Sequence, residues 1–155
     1  MSPFKRYDIR GRLGIDLDEA TAHRIARAFA RVTGADAVVL ARDSRESSPA
    51  LAQAVAAGLV AQGVRVLDLG LAGTEEMYFA TAHLGAGGGV MVTASHNPRD
   101  YNGMKLVGPG AVPLADEEFA RVRDLADSDP DRLCGGSLQD ASATRAAYVD
   151  HIARL

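Results

Sequence analysis

Residues 37–41 have the sequence AVVLA, and this continuous apolar run decides the fold class. A short apolar run rich in β-branched residues is typical of a strand that is buried on both faces. Two comparable runs follow it, VRVLDLG at residues 64–70 and GVMVT at residues 89–93. Because helical patterns separate these runs, we expect crossover connections and a mainly parallel, mixed sheet. The prediction is a three-layer α/β/α domain with about four strands.

Capping residues and glycines mark the boundaries of the other predicted elements. Ser, Thr and Asp side chains accept hydrogen bonds from the first helical amides, and glycine favours the backbone that follows a helix. The predicted N-caps are Asp18, Ser48 (followed by Pro49), Thr74 and Asp116. The predicted elements are strands at 4–10 and 104–107 and helices at 18–33, 48–62, 74–83, 116–126 and 140–154. Residues 127–137 are rich in turn formers and are predicted to be a surface linker.

The composition excludes several classes of protein. The chain has 155 residues, a net formal charge of -3, 47% hydrophobic residues and one cysteine, Cys134. A single cysteine forms no internal disulfide framework, and no apolar run approaches the roughly 20 residues that span a bilayer. The start, MSPFKRYD, lacks the apolar core of a signal peptide, so we expect a cytoplasmic protein. Without a basic block, we expect no binding to nucleic acid or to membranes.

The polar segment after residues 89–93 is the first candidate site, because ligands of such sheets collect at the carboxyl ends of the strands. It reads TASHNP at residues 93–98 and RDYNGMK at residues 99–105. Ser95 is a candidate nucleophile, and His96 is a candidate proton carrier.

Lys105, at the end of this segment, is a second candidate proton carrier. The chain uses Arg almost everywhere else, and Lys, unlike Arg, can give up its proton. Asn97, Asn102 and Gly103 suit a tight polar loop, and Pro98 excludes a helix start at Asn97. Asn-Gly is also the strongest two-residue hairpin signal, so a plain turn is the alternative interpretation.

A serine hydrolase is disfavoured at this segment. Neighbouring residues on an extended backbone point to opposite sides, so His96 is poorly placed to act as the base for Ser95. The GxSxG motif of the α/β-hydrolases is also absent from the sequence. A third alternative, in which the Ser-His pair is an uninvolved part of a polar loop, stays open at this point.

A second candidate site is a cluster of charged and polar residues near the N-terminus. Its members are Lys5, Arg6, Tyr7, Asp8, Arg10 and Arg12. A Tyr hydroxyl and a guanidinium together can bind and neutralise a phosphate. Solvated charges at a frayed terminus are the alternative. The segment RDSR at residues 42–45 follows the buried strand. It either adds cations for a ligand or forms an internal Arg-Asp pair that holds the loop, and the pair is the favoured interpretation.

Other motifs have no predicted chemistry. The glycines at positions 85, 87, 88 and 89 precede a strand, and no Walker or dinucleotide fingerprint is present. Three further histidines lie in helical patterns without ligand spacing, and no Cys/His or acidic cluster suggests an independent metal cage.

Three motifs together resemble the α-D-phosphohexomutases, the phosphomannomutase/phosphoglucomutase family. They are FKRYDIRG at residues 4–11, TASHNP at residues 93–98 and NGMK at residues 102–105. The resemblance implies that phosphorylated Ser95 donates its phosphoryl group to a hexose 1- or 6-phosphate. It further implies a bisphosphorylated intermediate that turns over and returns its other phosphate to Ser95.

The resemblance also implies roles for the other candidate residues. Lys105 is expected to be the general acid/base at the sugar hydroxyl. Tyr7 and Arg10 are expected to line the cleft near the reacting phosphate, with Arg10 also acting in catalysis. His96 is expected to orient the substrate or the loop, and Asn97 to contribute to substrate binding.

Members of this family have four domains, and only the first is expected here. The sequence lacks an acidic DGDGDR-type loop for Mg²⁺, a GExSGH-type sugar loop and an RxSGT-type phosphate loop. We therefore expect residues 1–138 to be domain I and residues 139–155 to be a connecting helix toward an absent second domain. The predicted partners are a hexose phosphate and domains II to IV of the same polypeptide.

The expected cofactors follow from the same resemblance. Mg²⁺ would receive one ligand from this chain, a phosphate oxygen on Ser95, and a glucose 1,6-bisphosphate-type molecule would act as activator. The isolated chain is expected to lack mutase turnover. The alternative is a stand-alone phosphosugar-binding or regulatory module, in which Ser95 is only a ligand contact.

Overall fold

A six-stranded mixed sheet lies at the centre of the computed structural model, which describes residues 2–6, 8–128, 131, 133 and 135–155. In chain order the strands are β1 (Ile9–Arg12), β2 (Ala37–Arg42), β3 (Arg65–Leu71), β4 (Gly88–Val92), β5 (Tyr101–Val107) and β6 (Ser137–Asp140). Their order across the sheet is β1-β5-β4-β2-β3-β6. The four strands from β4 to β6 in this order are parallel, whereas β5 is antiparallel to both β4 and β1. The predicted mainly parallel, mixed sheet is confirmed, but its six strands exceed the predicted four.

Helices cover both faces of this sheet, as the predicted three-layer architecture requires. The described residues form the helices α1 (Glu19–Thr33), α2 (Ser48–Val60), α3 (Thr74–His83), α4 (Asp116–Asp127) and α5 (Arg145–Ala153). Buried residues of α1, α2 and α4 share one apolar cluster with the sheet, and α3 packs in a second cluster on the opposite face. Within the described part of the chain, no helix is both long enough and apolar enough to span a membrane.

Strand β2 shows why the AVVLA run forms the centre of the sheet. Successive side chains of a strand point to opposite faces. Val38 and Leu40 lie in the cluster with α1 and α2, whereas Val39 and Ala41 lie in the cluster with α3. All four side chains are buried, so a continuous apolar run is what this position needs.

The two glycines that begin β4, Gly88 and Gly89, are explained by packing. A Cβ atom added to Gly88 would lie 2.8 Å from Cζ of Phe29 in α1. A Cβ atom on Gly89 would lie 2.7 Å from Sδ of Met77 and would also collide with the Thr81 hydroxyl of α3. Helices on both faces therefore approach this strand so closely that only glycine fits.

The helix starts differ from the predicted caps at three places. Asp18 is the N-cap of α1, as predicted, and Gly34 after α1 has the left-handed backbone. The other N-cap positions are Ser47, Gly73 and Ala115, each one residue before the predicted Ser48, Thr74 and Asp116. Ser48 is the first residue of α2, and its hydroxyl donates to the Asp43 carboxylate and accepts from Nδ2 of Asn102.

The N-terminal strand is shorter than predicted. Phe4 forms only an isolated bridge with Ile9, and the amide of Lys5 donates to the carbonyl of Asp8 at 2.8 Å. The regular strand therefore begins at Ile9 instead of Phe4.

The C-terminal segment contains a strand that the sequence did not predict. Residues 137–140 pair in parallel with β3 as strand β6, although residue 137 was predicted to end the linker and residue 140 to begin the last helix. Helix α5 begins only at Arg145. All four side chains of β6 are exposed, so its sequence has no apolar alternation that would indicate a strand. The proposed division between residues 138 and 139 falls inside β6, and this domain division stays a prediction.

Replacing the N-cap Asp18 is expected to destabilise the fold in a pH-dependent way. Its carboxylate accepts a hydrogen bond from the amide of Thr21 at 2.8 Å, and hydrogen bonds from Thr21 hold the pKa of Asp18 below its usual value. A lowered pKa in the folded state stabilises the protein above the unfolded-state pKa, and this stabilisation is lost as the pH falls through the folded-state value. Asp18→Ala should therefore lower the free energy of unfolding by about 1 kcal/mol at neutral pH.

Urea denaturation at pH 7 and pH 3 checks this prediction, with Asp18→Asn as the matched control. Asn also caps helices well but carries no charge, so Asp18→Asn should retain most of the stability at both pH values. The difference between wild type and Asp18→Ala should be smaller at pH 3. Equal stability of Asp18→Ala and wild type at pH 7 would contradict the capping role.

Candidate active site

Two loops at the carboxyl ends of neighbouring parallel strands line a cavity of about 790 Å³. Residues 43–47 follow β2, and residues 93–100 follow β4. Arg42 pairs opposite Val92 at the ends of these strands, so the two loops start side by side. The segment that contains Ser95 therefore lies at the sheet edge that the sequence indicated.

Ser95 is exposed and has an unusual backbone conformation. Its φ angle is +54°, in the left-handed region that non-glycine residues rarely occupy. Its amide donates to Oγ1 of Thr93 at 3.0 Å, and its carbonyl accepts from Nη2 of Arg45 at 2.8 Å. The extended backbone assumed in arguing against a Ser-His pair is therefore wrong at Ser95. Among the described residues, no hydrogen bond joins His96 to the Ser95 hydroxyl.

The two residues after Ser95 differ in how firmly they are bound. His96 is exposed, and it is not among the residues that line the cavity. Asn97 is half-buried, and both its backbone amide and its side-chain Nδ2 donate to the carbonyl of Ala94, at 3.1 and 2.8 Å. The Asn97 side-chain amide group therefore closes the turn around Ser95, which leaves its Oδ1 atom for the predicted substrate contact.

Asp43 joins the two loops through its carboxylate. Its Oδ2 atom accepts from the hydroxyl of Thr93 at 2.7 Å, and its Oδ1 atom accepts from the hydroxyl of Ser48. Asn102 extends this network, because its Nδ2 atom donates to the hydroxyls of Ser47 at 2.7 Å and Ser48 at 3.0 Å. Asn102 is completely buried, and these bonds satisfy its two amide hydrogens.

Arg45, in the loop after β2, binds the backbone of the loop that contains Ser95. Its guanidinium donates to four backbone carbonyls, those of Ser95 at 2.8 Å, Asn97 at 2.6 Å, Pro98 at 2.8 Å and Tyr101 at 3.1 Å. Nε of Arg45 lies 3.5 Å from Oδ2 of Asp43, and the Arg45 side chain is only 17% exposed. Of the two interpretations of the RDSR segment, the structure shows the internal Arg-Asp pair that holds the loop.

Lys105 and Arg10 lie on one face of the sheet, at its antiparallel edge. Arg10 of β1 pairs opposite Gly103 of β5, two residues before Lys105, and side chains two apart on a strand share a face. Lys105 is half-buried and sits opposite Met91 of β4, the strand that leads into the Ser95 loop. Arg10 pairs with Asp8, with 3.2 Å between its Nε and Oδ2 of Asp8.

Tyr7, the remaining predicted site residue, lies outside the described residues. Its predicted contact with the reacting phosphate stays a prediction.

The interpretation of Asn102 and Gly103 as a tight loop or hairpin turn is wrong. Both residues lie within β5 and pair with Gly11 and Arg10 of β1. A Cβ atom on Gly103 would lie 3.0 Å from Cγ of Arg10 and would collide with the carbonyl oxygen of Ile9. Gly103 is needed for the close approach of β1, not for a turn.

Sequence reasoning missed how completely the loop carbonyls depend on Arg45. It also missed Ser47 and Asn102 as parts of one buried network. The available signal was the position of RDSR directly after a buried strand, which placed Arg45 near the loop but gave no indication of which atoms it contacts.

The described residues do not form a metal site by themselves. Within residues 2–6, 8–128, 131, 133 and 135–155, no group of three or more His, Cys, Asp or Glu side chains is arranged to hold a metal ion. Asp43 and Glu46 are the carboxylates among the described residues that line the cavity with Ser95. Asp43 already accepts hydrogen bonds from the Thr93 and Ser48 hydroxyls and pairs with Arg45.

A comparison with protein families shows the family to which this chain is related. Residues 1–132 match the family described as phosphoglucomutase/phosphomannomutase, alpha/beta/alpha domain I. The chain belongs to this family. The resemblance stated from the three sequence motifs is therefore confirmed, including the restriction to domain I.

Individual members of the phosphoglucomutase/phosphomannomutase family agree with this placement. A phosphomannomutase of Salmonella typhimurium is 50% identical over 154 residues, which are 96% of this chain and 34% of the relative. Phosphohexose mutases of Xanthomonas campestris are 49% identical over 151 residues.

A solved structure of a family member also matches this chain. A family protein from Burkholderia thailandensis superposes with a TM-score of 0.83 at 40% identity, covering 97% of this chain and 35% of its own. The chain thus spans about a third of the length of these relatives.

The substitution Gly103→Ala is expected to displace β1 and with it Arg10. The added methyl group meets the Ile9 backbone, which cannot move aside as a flexible side chain could. Overpacking of this kind costs about 1–3 kcal/mol of the free energy of unfolding. Gly108→Ala is the control, because its Cβ atom would make only ordinary contacts, the nearest at 3.5 Å. Thermal unfolding of both variants tests the prediction, and equal midpoints would contradict it.

Proposed function

We propose that this chain is the first domain of a phosphohexomutase that interconverts hexose 1-phosphate and hexose 6-phosphate. The observation that supports it most directly is Ser95, an exposed serine on a tightly hydrogen-bonded loop in a domain I of this family. Several relatives are named phosphomannomutases, which supports a mannose phosphate among the substrates. Because the chain spans about a third of the relatives' length, the activity belongs to a longer polypeptide.

Ser95 is proposed to carry the transferred phosphoryl group. A hydroxyl of the hexose phosphate attacks the phosphorus of phospho-Ser95; the new O–P bond forms as the bond to Oγ of Ser95 breaks. The bisphosphorylated sugar then turns over, and its other phosphoryl group returns to Oγ of Ser95. A phosphoserine carries about -1.5 to -2 charges at neutral pH, so the transfer needs cationic groups near the loop.

The other site residues have distinct proposed roles. Lys105 is the general base that takes the proton from the attacking sugar hydroxyl, and it returns a proton in the reverse step. Arg10 and Tyr7 bind the phosphate near Ser95, and His96 and Asn97 orient the sugar phosphate at the loop. The shared sheet face of Arg10 and Lys105 supports the placement of both in one cleft.

Mg²⁺ and a hexose bisphosphate activator complete the proposal. Mg²⁺ would supply charge neutralisation for the phosphoryl group, and a phosphate oxygen on Ser95 is the ligand that this chain offers it. A glucose 1,6-bisphosphate-type activator would phosphorylate a Ser95 that has lost its phosphate. The chain by itself is proposed to lack turnover, because the remaining metal and sugar ligands come from domains II to IV.

Ser95→Ala is expected to abolish phosphorylation and mutase activity. Intact-mass analysis of the complete polypeptide after incubation with glucose 1,6-bisphosphate should show one added phosphate in the wild type and none in Ser95→Ala. Ser128→Ala, a change at an exposed serine at the end of α4, serves as the control and should be phosphorylated like the wild type. Normal interconversion of hexose phosphates by Ser95→Ala would overturn the proposed function.

Lys105→Ala is expected to separate phosphorylation from turnover. A general acid/base contributes typically 10²–10⁴-fold, so turnover should fall by roughly this factor while Ser95 remains phosphorylated. Lys105→Arg keeps the positive charge but cannot release the proton, and it should be as slow as Lys105→Ala. Steady-state kinetics and intact mass measure the two effects. Unchanged turnover in either variant would remove Lys105 from the mechanism.

A further inference from the structure

The peptide groups on both sides of Ser95 are held by residues of the loop after β2. On the N-terminal side, Asp43 accepts the Thr93 hydroxyl hydrogen at 2.7 Å, so the Thr93 oxygen is free to accept the Ser95 amide at 3.0 Å. On the C-terminal side, Arg45 donates to the Ser95 carbonyl at 2.8 Å. The backbone of Ser95 therefore depends on two charged residues that are 50 or more positions away in the chain.

Arg45 uses four of its five N–H donors for hydrogen bonds inside the protein. A guanidinium has five N–H donors. Four of them serve the carbonyls of the loop, and the fifth, on Nε, faces Oδ2 of Asp43 at 3.5 Å. The donors on Nη1 and Nη2 of Arg45 are therefore all directed to the loop carbonyls, although Arg45 lines the cavity.

The left-handed backbone of Ser95 would not persist without such support. Four carbonyl dipoles of the loop converge on one point, and only a cation with several donors at that point makes this arrangement favourable. The φ angle of +54° adds local strain, because the left-handed region is unfavourable for a residue with a Cβ atom. A change at the cation therefore changes the direction in which the Ser95 side chain leaves the loop.

We propose that Asp43 and Arg45 are positioning residues that hold Ser95 in its left-handed conformation and so aim its hydroxyl for phosphoryl transfer. This inference rests on the proposed function, in which Ser95 carries the phosphoryl group. The pair acts through the backbone of the loop and does not touch the reacting groups. Its loss slows the transfer to and from Ser95 without weakening the binding of the sugar phosphate.

The decisive variants are Arg45→Lys and Thr93→Val in the complete polypeptide. A lysine has three donors at one nitrogen and cannot serve four carbonyls in a fixed fork geometry. A small misplacement of a reacting group costs on the order of 100-fold in rate, so Arg45→Lys should slow phosphorylation of Ser95 and kcat by about this factor. Thr93→Val removes the hydroxyl that links Asp43 to the Ser95 amide and should slow both steps by about 10-fold.

Two matched controls separate positioning from a general loss of stability. Thr93→Ser keeps the linking hydroxyl, so its rate of phosphorylation should match that of the wild type. Arg123→Lys, at an exposed pair with Asp124 on α4, makes the same chemical change far from the loop and should have no effect. In Arg45→Lys and Thr93→Val, KM should stay close to the wild-type value, because the pair makes no substrate contact.

The probe for phosphoryl transfer is glucose 1,6-bisphosphate, followed by intact mass over time. Hydrogen–deuterium exchange of the peptide that contains Ser95 is measured on the same proteins, after thermal unfolding has shown which variants are folded. Slow phosphorylation together with faster local exchange in folded variants supports the inference. Wild-type phosphorylation rates in folded Arg45→Lys and Thr93→Val would overturn it, as would unchanged exchange at Ser95.

Different results would contradict the proposed function and the positioning role of Asp43 and Arg45. If the wild-type polypeptide accepts no phosphate at Ser95, the proposed function is wrong. The exchange experiment still decides whether Asp43 and Arg45 hold the Ser95 backbone, because it needs no reaction. If the wild type is phosphorylated but the variants match it, only the positioning role is wrong.

Discussion

The parallel pairing of β2 with β4 is the constraint on which the site depends. Arg42 lies opposite Val92, and the amide of Asp43 continues the ladder by donating to the Val92 carbonyl at 3.0 Å. Both strands are buried on both faces, so a slip of one residue would turn apolar side chains of each strand to the wrong layer. The core therefore fixes which residue of one loop meets which residue of the other, and it sets Asp43 beside Thr93.

The energies at the loop explain how an exposed serine keeps a left-handed backbone. That conformation costs a non-glycine residue roughly 1–2 kcal/mol. A hydrogen bond to a charged group contributes about 1.5–3 kcal/mol, so a single bond from Arg45 can offset this cost, and Arg45 makes four. Because the Arg45 side chain is only 17% exposed, water competes poorly for these bonds. The strain is local and the support comes from the neighbouring loop.

Local sequence patterns predicted those parts of the fold that depend on short-range order. The apolar run at residues 37–41, the N-cap Asp18 and the TASHNP segment each lie where the sequence placed them. Asn102-Gly103 shows the limit of such patterns. The pair is a strong turn signal, yet it lies within β5, because Asn102 donates to Ser47 and Ser48, more than 50 positions earlier, and β1 packs against Gly103. Tertiary contacts of this kind override local turn preference.

The sequence by itself determined the alternation of strands and helices, the family resemblance and the serine around which the proposed chemistry is organised. These properties are encoded in residue type and spacing, which are visible along the chain. Only the tertiary structure decided the left-handed backbone of Ser95, the exposed sixth strand and the bonds from Arg45 to the four carbonyls. These features arise from atoms that are distant in sequence, and their partners are largely backbone groups, which every residue carries and no sequence pattern distinguishes.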